Sequence, residues 1–258
     1  MRTYRTAIAA DGEYTAFHGG TVILGQAAIV TAINRVTGIY ETELSIRLTL
    51  VANNDSLVYT DAGTDPYSNS DAFALLDENQ TTIDTEIGNA NYDLGHVFTT
   101  GGGGLAGLGV VGIDGQKARG ETGLGNPTGD PFYVDYVAHE IGHQFGGNHT
   151  FNGDSGSCAG GNRNASTAYE PGSGSTINAY ANICGDDNLQ SSSDPYFHSV
   201  SFDEIINHVD NTIPEVGSRT STGNNVPTVE AGNAFTVPAA TPFTLTAAGT
   251  DGDRTSSR

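Results

Sequence analysis

The chain has 258 residues, 36% of them apolar, with 35 glycines and no tryptophan. That is room for one large domain, or for a domain plus a fragment, and the lack of a Gly-X-Y period excludes collagen. Acidic residues number 30 against 10 basic ones, Lys117 is the only lysine, and the formal charge is −20; this excludes nucleic acid and an anionic membrane surface as partners, since phosphate binding needs clustered Lys and Arg.

Such a surface keeps a chain soluble and monomeric. Alternatively, its Asp, Glu and Asn oxygens hold structural calcium (Ca2+), for which no EF-hand loop is present. No run of 18 apolar residues occurs, so no transmembrane helix is predicted. The opening MRTYRTAIAA reads as a start methionine placed before a strand, with any signal and pro-segment lying outside this chain. Cys158 and Cys184 are not spaced as C-x-x-C; in a secreted protein such a pair closes a disulfide, and in a cytosolic one it is two separate thiols.

In chain order, residues 4–10 read as a first strand. Residues 20–40 carry apolar side chains at spacings of three and four, the period of an amphipathic helix. Residues 44–52 alternate Leu44, Ile46, Leu48 and Leu50 with polar partners, a half-buried strand. A turn-rich stretch, 53–71, follows. Residues 72–88 fit a helix ended by Gly88, and 92–99 a further strand. Residues 101–113 (GGGGLAGLGVVGI) begin as a glycine loop and end as a buried or edge strand. Asp130-Pro131 predicts a helix start, with Asp130 as N-cap and Pro131 at the first helical position. That helix runs through Val134, Val137, Ile141 and Phe145 to a stop at Gly146 and Gly147. Residues 150–200 are mostly loop, and 201–210 form a last short helix with a Ser N-cap. Beyond Asn211 the composition shifts. Residues 213–227 read as a linker, and 228–258 as the truncated start of a β-rich, sandwich-like module that two or three strands cannot complete. The domain proper is then 1–212.

The chemistry lies in residues 139–149, HEIGHQFGGNH. His139 and His143 are four apart, which puts both imidazoles on one face of a helix where both reach one zinc ion. Glu140 is placed as general base toward a water at that ion. Gly146 lets the chain leave the helix in a left-handed conformation and return His149 as a third ligand. Three histidines leave a fourth position open, which a catalytic zinc needs and a structural zinc lacks. Five fixed positions recur by chance in on the order of one chain in ten thousand of this length. No G-x-S-x-G elbow supports a serine hydrolase. His18, His96, His198 and His208 stand in no ligand spacing and read as packed or polar side chains. Asn148-His149-Thr150 and Asn164-Ala165-Ser166 are chance matches to a glycosylation sequon.

This motif resembles the metzincin signature, and residues 1–210 resemble the bacterial reprolysin-like (adamalysin-related) secreted zinc metalloproteases. The resemblance implies an α+β metzincin-type catalytic domain. It has a twisted, mostly parallel sheet, two long helices, a zinc helix, and a loop-rich lower subdomain with a C-terminal helix. It also implies a secreted endopeptidase, a protein or peptide substrate, and additional C-terminal modules. By the same resemblance, Gly104, Leu105, Ala106, Gly107 and Leu108, continuing to Val110, pair with an extended peptide through main-chain hydrogen bonds. Glu170-Pro171-Gly172 precedes a loop that shapes a pocket wall. The family's Met-turn corresponds to 175–184 (STINAYANIC), where Asn178 stands in place of the methionine. An unpartnered amide there costs roughly 1–3 kcal/mol. Tyr180, two residues on, is a candidate for stabilising the transition state, as in the astacin and serralysin branches. A Cys158–Cys184 disulfide is implied below the site. The competing reading is a zinc-binding adhesion or interaction module of the same fold with weakened catalysis, favoured by Asn178.

Overall fold

The computed structural model describes residues 1–101 and 103–253. Its elements begin with β1 (Arg2–Ala10), α1 (Gly12–Phe17), α2 (Val22–Leu44), β2 (Ile46–Leu50), α3 (Ala72–Glu86) and β3 (Leu94–Thr99). They continue with β4 (Gly103–Ala106), β5 (Gly120–Gly123), α4 (Asp130–Phe132), a π-helical stretch (Tyr133–Ala138) and α5 (His139–Gln144). Then come α6 (Ser199–Asn207), β6 (Ser218–Arg219), β7 (Thr228–Glu230) and β8 (Ala248–Thr250).

The main sheet has the order β2-β1-β3-β5-β4. β1, β2, β3 and β5 are parallel, and β4 runs antiparallel to β5 at one edge. β1 and β3 lie inside the sheet and are buried on both faces, which is why their sequences lack a clean alternation. β2 lies at the other edge and alternates: Ile46 and Leu48 are buried, Arg47 and Thr49 exposed. On one face, Tyr4 and Ile8 of β1 meet α2 through Ile29, Ile33, Val36 and Tyr40, together with Val137, Ile141 and Phe145 of the helix that bears the HExxH motif. On the opposite face, Ala7 and Ala9 lie under α3 with Leu75, Ile83 and Val97. Each large aliphatic side chain buried this way contributes about 1.5–3 kcal/mol.

α2 is long and apolar enough to cross a membrane by length and composition, although its sequence shows no unbroken apolar run. Its apolarity has a cause within the fold, because the stripe Ile29-Ile33-Val36-Tyr40, at spacings of four and three, is wholly or nearly wholly buried in the main core.

Several boundaries differ from expectation. α2 runs on through Leu44, expected to open the next strand, and that strand is Ile46–Leu50. Within 101–113 the strand is Gly103–Ala106 rather than the apolar end. From Gly107 the chain turns inward, its N–H donating to Arg119 O (2.8 Å) and that of Gly109 to His143 O (2.9 Å). The HExxH helix is capped by Gly129, not Asp130; Asp130 is free to pair with Arg35 at 2.9 Å. The last helix starts at Ser199, and its N-cap is His198, whose Nδ1 accepts from Val200 N (3.1 Å). Two elements carried no sequence signal. β5 is the tetrapeptide GETG, and β6 is two residues paired with Arg2 and Thr3.

The lower half, residues 147–197, is mostly turns. Cys158 and Cys184 are disulfide-bonded, and Phe151 and Tyr180 pack on the bridge. Removing it by Cys158→Ser with Cys184→Ser is expected to lower stability by about 2–4 kcal/mol, read as a fall in the thermal unfolding midpoint. An unchanged midpoint would show that the bridge constrains little.

Met1–Arg219 form one compact unit, and Thr220–Arg258 a second. In the second, β7 and β8 pair antiparallel, and Phe235 and Phe243 are exposed.

Candidate metal centre

The helical spacing of His139 and His143 and the reversal at Gly146 (φ 99°) bring three imidazoles together. Their Nε2 atoms are 3.0 Å (His139–His143), 3.0 Å (His143–His149) and 3.3 Å (His139–His149) apart. Each Nδ1 lies 2.6 Å from a backbone carbonyl: His139 from Ile177 O, His143 from Gly147 O, His149 from Asn162 O. A carbonyl only accepts, so every Nδ1 carries the proton and every Nε2 presents a lone pair. Three lone pairs aimed at one point repel unless a cation lies between them.

The donor set fits zinc. Zn–N bonds of about 2.0–2.1 Å in a tetrahedron place neighbouring donors about 3.3 Å apart, close to the separations found here. Burial lowers the pKa of all three; for His139 and His143 repulsion from the neighbouring rings adds to it, and His143 falls to about 3. The three imidazoles are therefore held neutral, the form in which they could bind a cation.

Two cavities flank the triad, of about 510 and 500 Å³. Gly104, Glu140, Asn162 and Tyr180 border both. Glu140 is buried, and burial followed by the Glu121 carboxylate pushes its pKa well above the carboxyl range; a cation held by the histidines would draw it down again. The edge strand β4 passes directly over it. A Cβ added to Gly104 would lie 2.4 Å from Glu140 Oε1, so only glycine fits there without displacing the carboxylate.

Among the described residues, no strand lies beside the outer edge of β4. Gly104, Leu105, Ala106 and Leu108 border the second cavity, whereas Gly107 borders neither and uses its N–H inside the fold. Tyr180 packs on His149 (ring centroids 4.5 Å) and on Phe151 (4.7 Å), and burial raises its pKa. The π-helical stretch before His139 turns Val134 and Val137 into the core and Asp135 and Tyr136 toward the first cavity. π-turns of this kind recur at functional sites.

Asn178 lies beneath the triad and is fully buried. Its Nδ2 donates to His139 O at 3.2 Å, while its Oδ1 has no partner and would sit 2.7 Å from a Cβ on Gly142. The amide is thus half satisfied. Asn178→Met is expected to raise stability by about 1 kcal/mol through removal of the buried orphan carbonyl, seen as a higher midpoint in denaturant at unchanged m-value. A lower midpoint would mean that the His139 hydrogen bond outweighs that cost.

The other histidines lie apart from this centre. His96 is buried between Gln144 Oε1 (2.8 Å) and Thr122 Oγ1 (2.9 Å). His208 Nε2 bonds Val111 O (3.1 Å). Glu170, ahead of the loop expected to shape a pocket wall, is an internal anchor: it accepts from Thr150 Oγ1 (2.6 Å), Ser175 N (2.8 Å) and Thr176 N (3.1 Å). It thereby joins the strand leaving His149 to the turn holding Asn178. Sequence reading had no signal for the three carbonyls that orient the triad, because backbone acceptors are the same at every residue.

No curated protein matches the chain. Among solved structures it is similar to one described as "Structure of a chaperone-substrate complex", with 15% identity and a TM-score of 0.48 over 84% of this chain and 36% of that one. The chain thus spans about a third of that structure's length. The model of the reprolysin-like M12B metallopeptidase family matches residues 1–209. With its parallel sheet, antiparallel edge strand and histidine triad, the chain belongs to the reprolysin-like M12B metallopeptidase family.

Proposed function

We propose that the protein is a secreted zinc endopeptidase with Glu140 as its general base. The observation that carries this reading is the triad itself: three carbonyl-locked imidazoles with converging Nε2 atoms, and a buried carboxylate beside them facing a cleft under a free strand edge. Zinc, when bound, would lower the pKa of water at its open position and polarise a carbonyl. Glu140 takes the proton of the attacking water and hands it to the leaving amine. The outer edge of β4 receives the peptide backbone as an added strand, holding the scissile bond over Glu140. Export to an oxidising compartment is supported by the disulfide.

Tyr180 borders both cavities beside His149, where its hydroxyl stabilises the negative charge that develops on the carbonyl oxygen. Tyr180→Phe is then expected to lower kcat by about tenfold or more with KM little changed. Full turnover by this variant would remove Tyr180 from the mechanism.

A second reading, a zinc-binding interaction module with weakened catalysis, is favoured by the half-satisfied Asn178. Zinc content and cleavage of a denatured protein, measured on one sample with and without chelator, separate the two. Chelator-sensitive cleavage supports the peptidase, and bound zinc without cleavage supports the module.

A further inference from the structure

The chain carries few cations, and among the described residues nearly all are paired with a carboxylate. Among the described residues, Arg2, Arg5, Arg35, Arg47, Lys117, Arg119 and Arg219 each pair with a carboxylate. Arg163 is the exception. It is exposed and borders the second cavity, beside His143, His149 and β4 residues Gly104–Ala106. Its Nε donates to Asn152 Oδ1 at 2.8 Å, which fixes the plane of the guanidinium and leaves the outer fork free.

The backbone on either side of it is anchored to the metal centre. Asn162 O receives His149 Nδ1 (2.6 Å), and Asn164 Nδ2 donates to Asn148 Oδ1 (2.8 Å). Arg163 is therefore held between two residues that bond to the 148–149 segment. In a chain of formal charge −20, an Arg outside the ion pairs found, with a single side-chain tether and an anchored backbone, presents a guanidinium open to an anionic group. A guanidinium fork takes a carboxylate in two parallel hydrogen bonds.

The opposite cavity has the reverse character. Asp135 borders it, with Oδ1 accepting from Ser193 N (2.8 Å), and no Lys or Arg lines it. The cleft is thus polarised across the metal centre.

We infer that Arg163 recognises a carboxylate of the substrate, so that the enzyme selects peptides with an acidic group on the Arg163 side of the scissile bond. The inference deepens the peptidase reading and rests on it. The carboxylate comes either from an Asp or Glu side chain or from a free chain terminus. Recognition is short-range, because the acidic surface repels such peptides at a distance and salt of about 0.15 M screens that field beyond about 8 Å. Added salt should therefore speed capture without abolishing preference.

The test uses the zinc-loaded full chain and internally quenched peptides carrying Glu, Gln or Lys at each position near the scissile bond. Each peptide is made with both free-acid and amidated C-termini. At one position Glu is expected to exceed Gln in kcat/KM by about tenfold or more, the scale of a charge-assisted hydrogen bond. Arg163→Gln should erase that ratio, and Arg163→Glu should shift the preference to Lys. A Glu-to-Gln ratio that persists on amidation would identify a side chain as the source; an Arg163-dependent ratio of free-acid over amidated peptides, with no Glu-to-Gln ratio at any position, would identify a chain terminus. A Glu-to-Gln ratio in Arg163→Gln equal to the parent's would overturn the proposal. Binding of the same peptides to zinc-loaded Glu140→Ala, followed by fluorescence anisotropy, separates the two claims. If the parent cleaves nothing, the peptidase reading fails, while an Arg163-dependent preference for Glu peptides in binding still supports the site and its absence refutes it.

Discussion

Replacing Glu140 with alanine is expected to leave zinc in place and to lower kcat by about 10²–10⁴-fold, the usual contribution of a positioned general base. The zinc should stay because the triad is oriented by the carbonyls of Ile177, Gly147 and Asn162, none of which involves Glu140. The turnover should fall because no other base replaces it. Asp135 borders only the first cavity and its carboxylate is engaged by Ser193. Glu121 pairs in register with Leu105, whereas it is neighbouring Gly104 that abuts Glu140; alternation along the strand sends the Glu121 side chain to the other face of the sheet. Tyr136 and Tyr180 hold their protons more tightly than free tyrosine, chiefly because they are buried. Zinc analysis and cleavage of a quenched peptide on the same preparation provide the measurement. Parent-like cleavage by Glu140→Ala would end the proposed mechanism.

The second large effect concerns the metal. His149→Ala is expected to weaken zinc binding by far more than the roughly 10–100-fold that loss of an outer hydrogen-bond partner costs, and to leave no measurable turnover. His139 and His143 keep their helical spacing without it, but two ligands no longer close a catalytic site. Stability supplies an independent readout. A ligand held only by the folded chain adds about 2.7 kcal/mol at a hundredfold excess over Kd. The parent should therefore melt higher with zinc than with chelator, and His149→Ala should melt alike in both. One zinc per chain at parental affinity in the variant would show that His149 is not a ligand.

Much of the fold could be read from local pattern. The core face of α2 follows a period of three to four, and the edge strand β2 a period of two; each period is set by backbone geometry. Patterns failed where the local signal was too short or came from elsewhere. The four residues of β5 contain two glycines and no apolar side chain; the strand is held by β3 on one side and β4 on the other. The N-cap of the last helix is a histidine, a role that depends on its ring meeting Val200 N. The strand predicted toward Val110 lies earlier, because Val110 N and Val111 N donate to Gln144 O and draw that segment against the motif helix.

The motif at 139–149 determined by itself which residues converge: helix spacing aligns His139 with His143, and a glycine able to take φ 99° turns the chain back toward His149. Only the tertiary structure decided what that convergence is worth. The proton on each imidazole is placed by a carbonyl four, thirteen or thirty-eight residues away. The closeness of β4 to Glu140 is set by sheet pairing, and the tether of Arg163 to Asn152 by the folding of the 150–176 loop. Near-neighbour periodicity is encoded in side-chain order, whereas backbone acceptors and distant ion pairs leave no local mark and become legible only when the chain is closed.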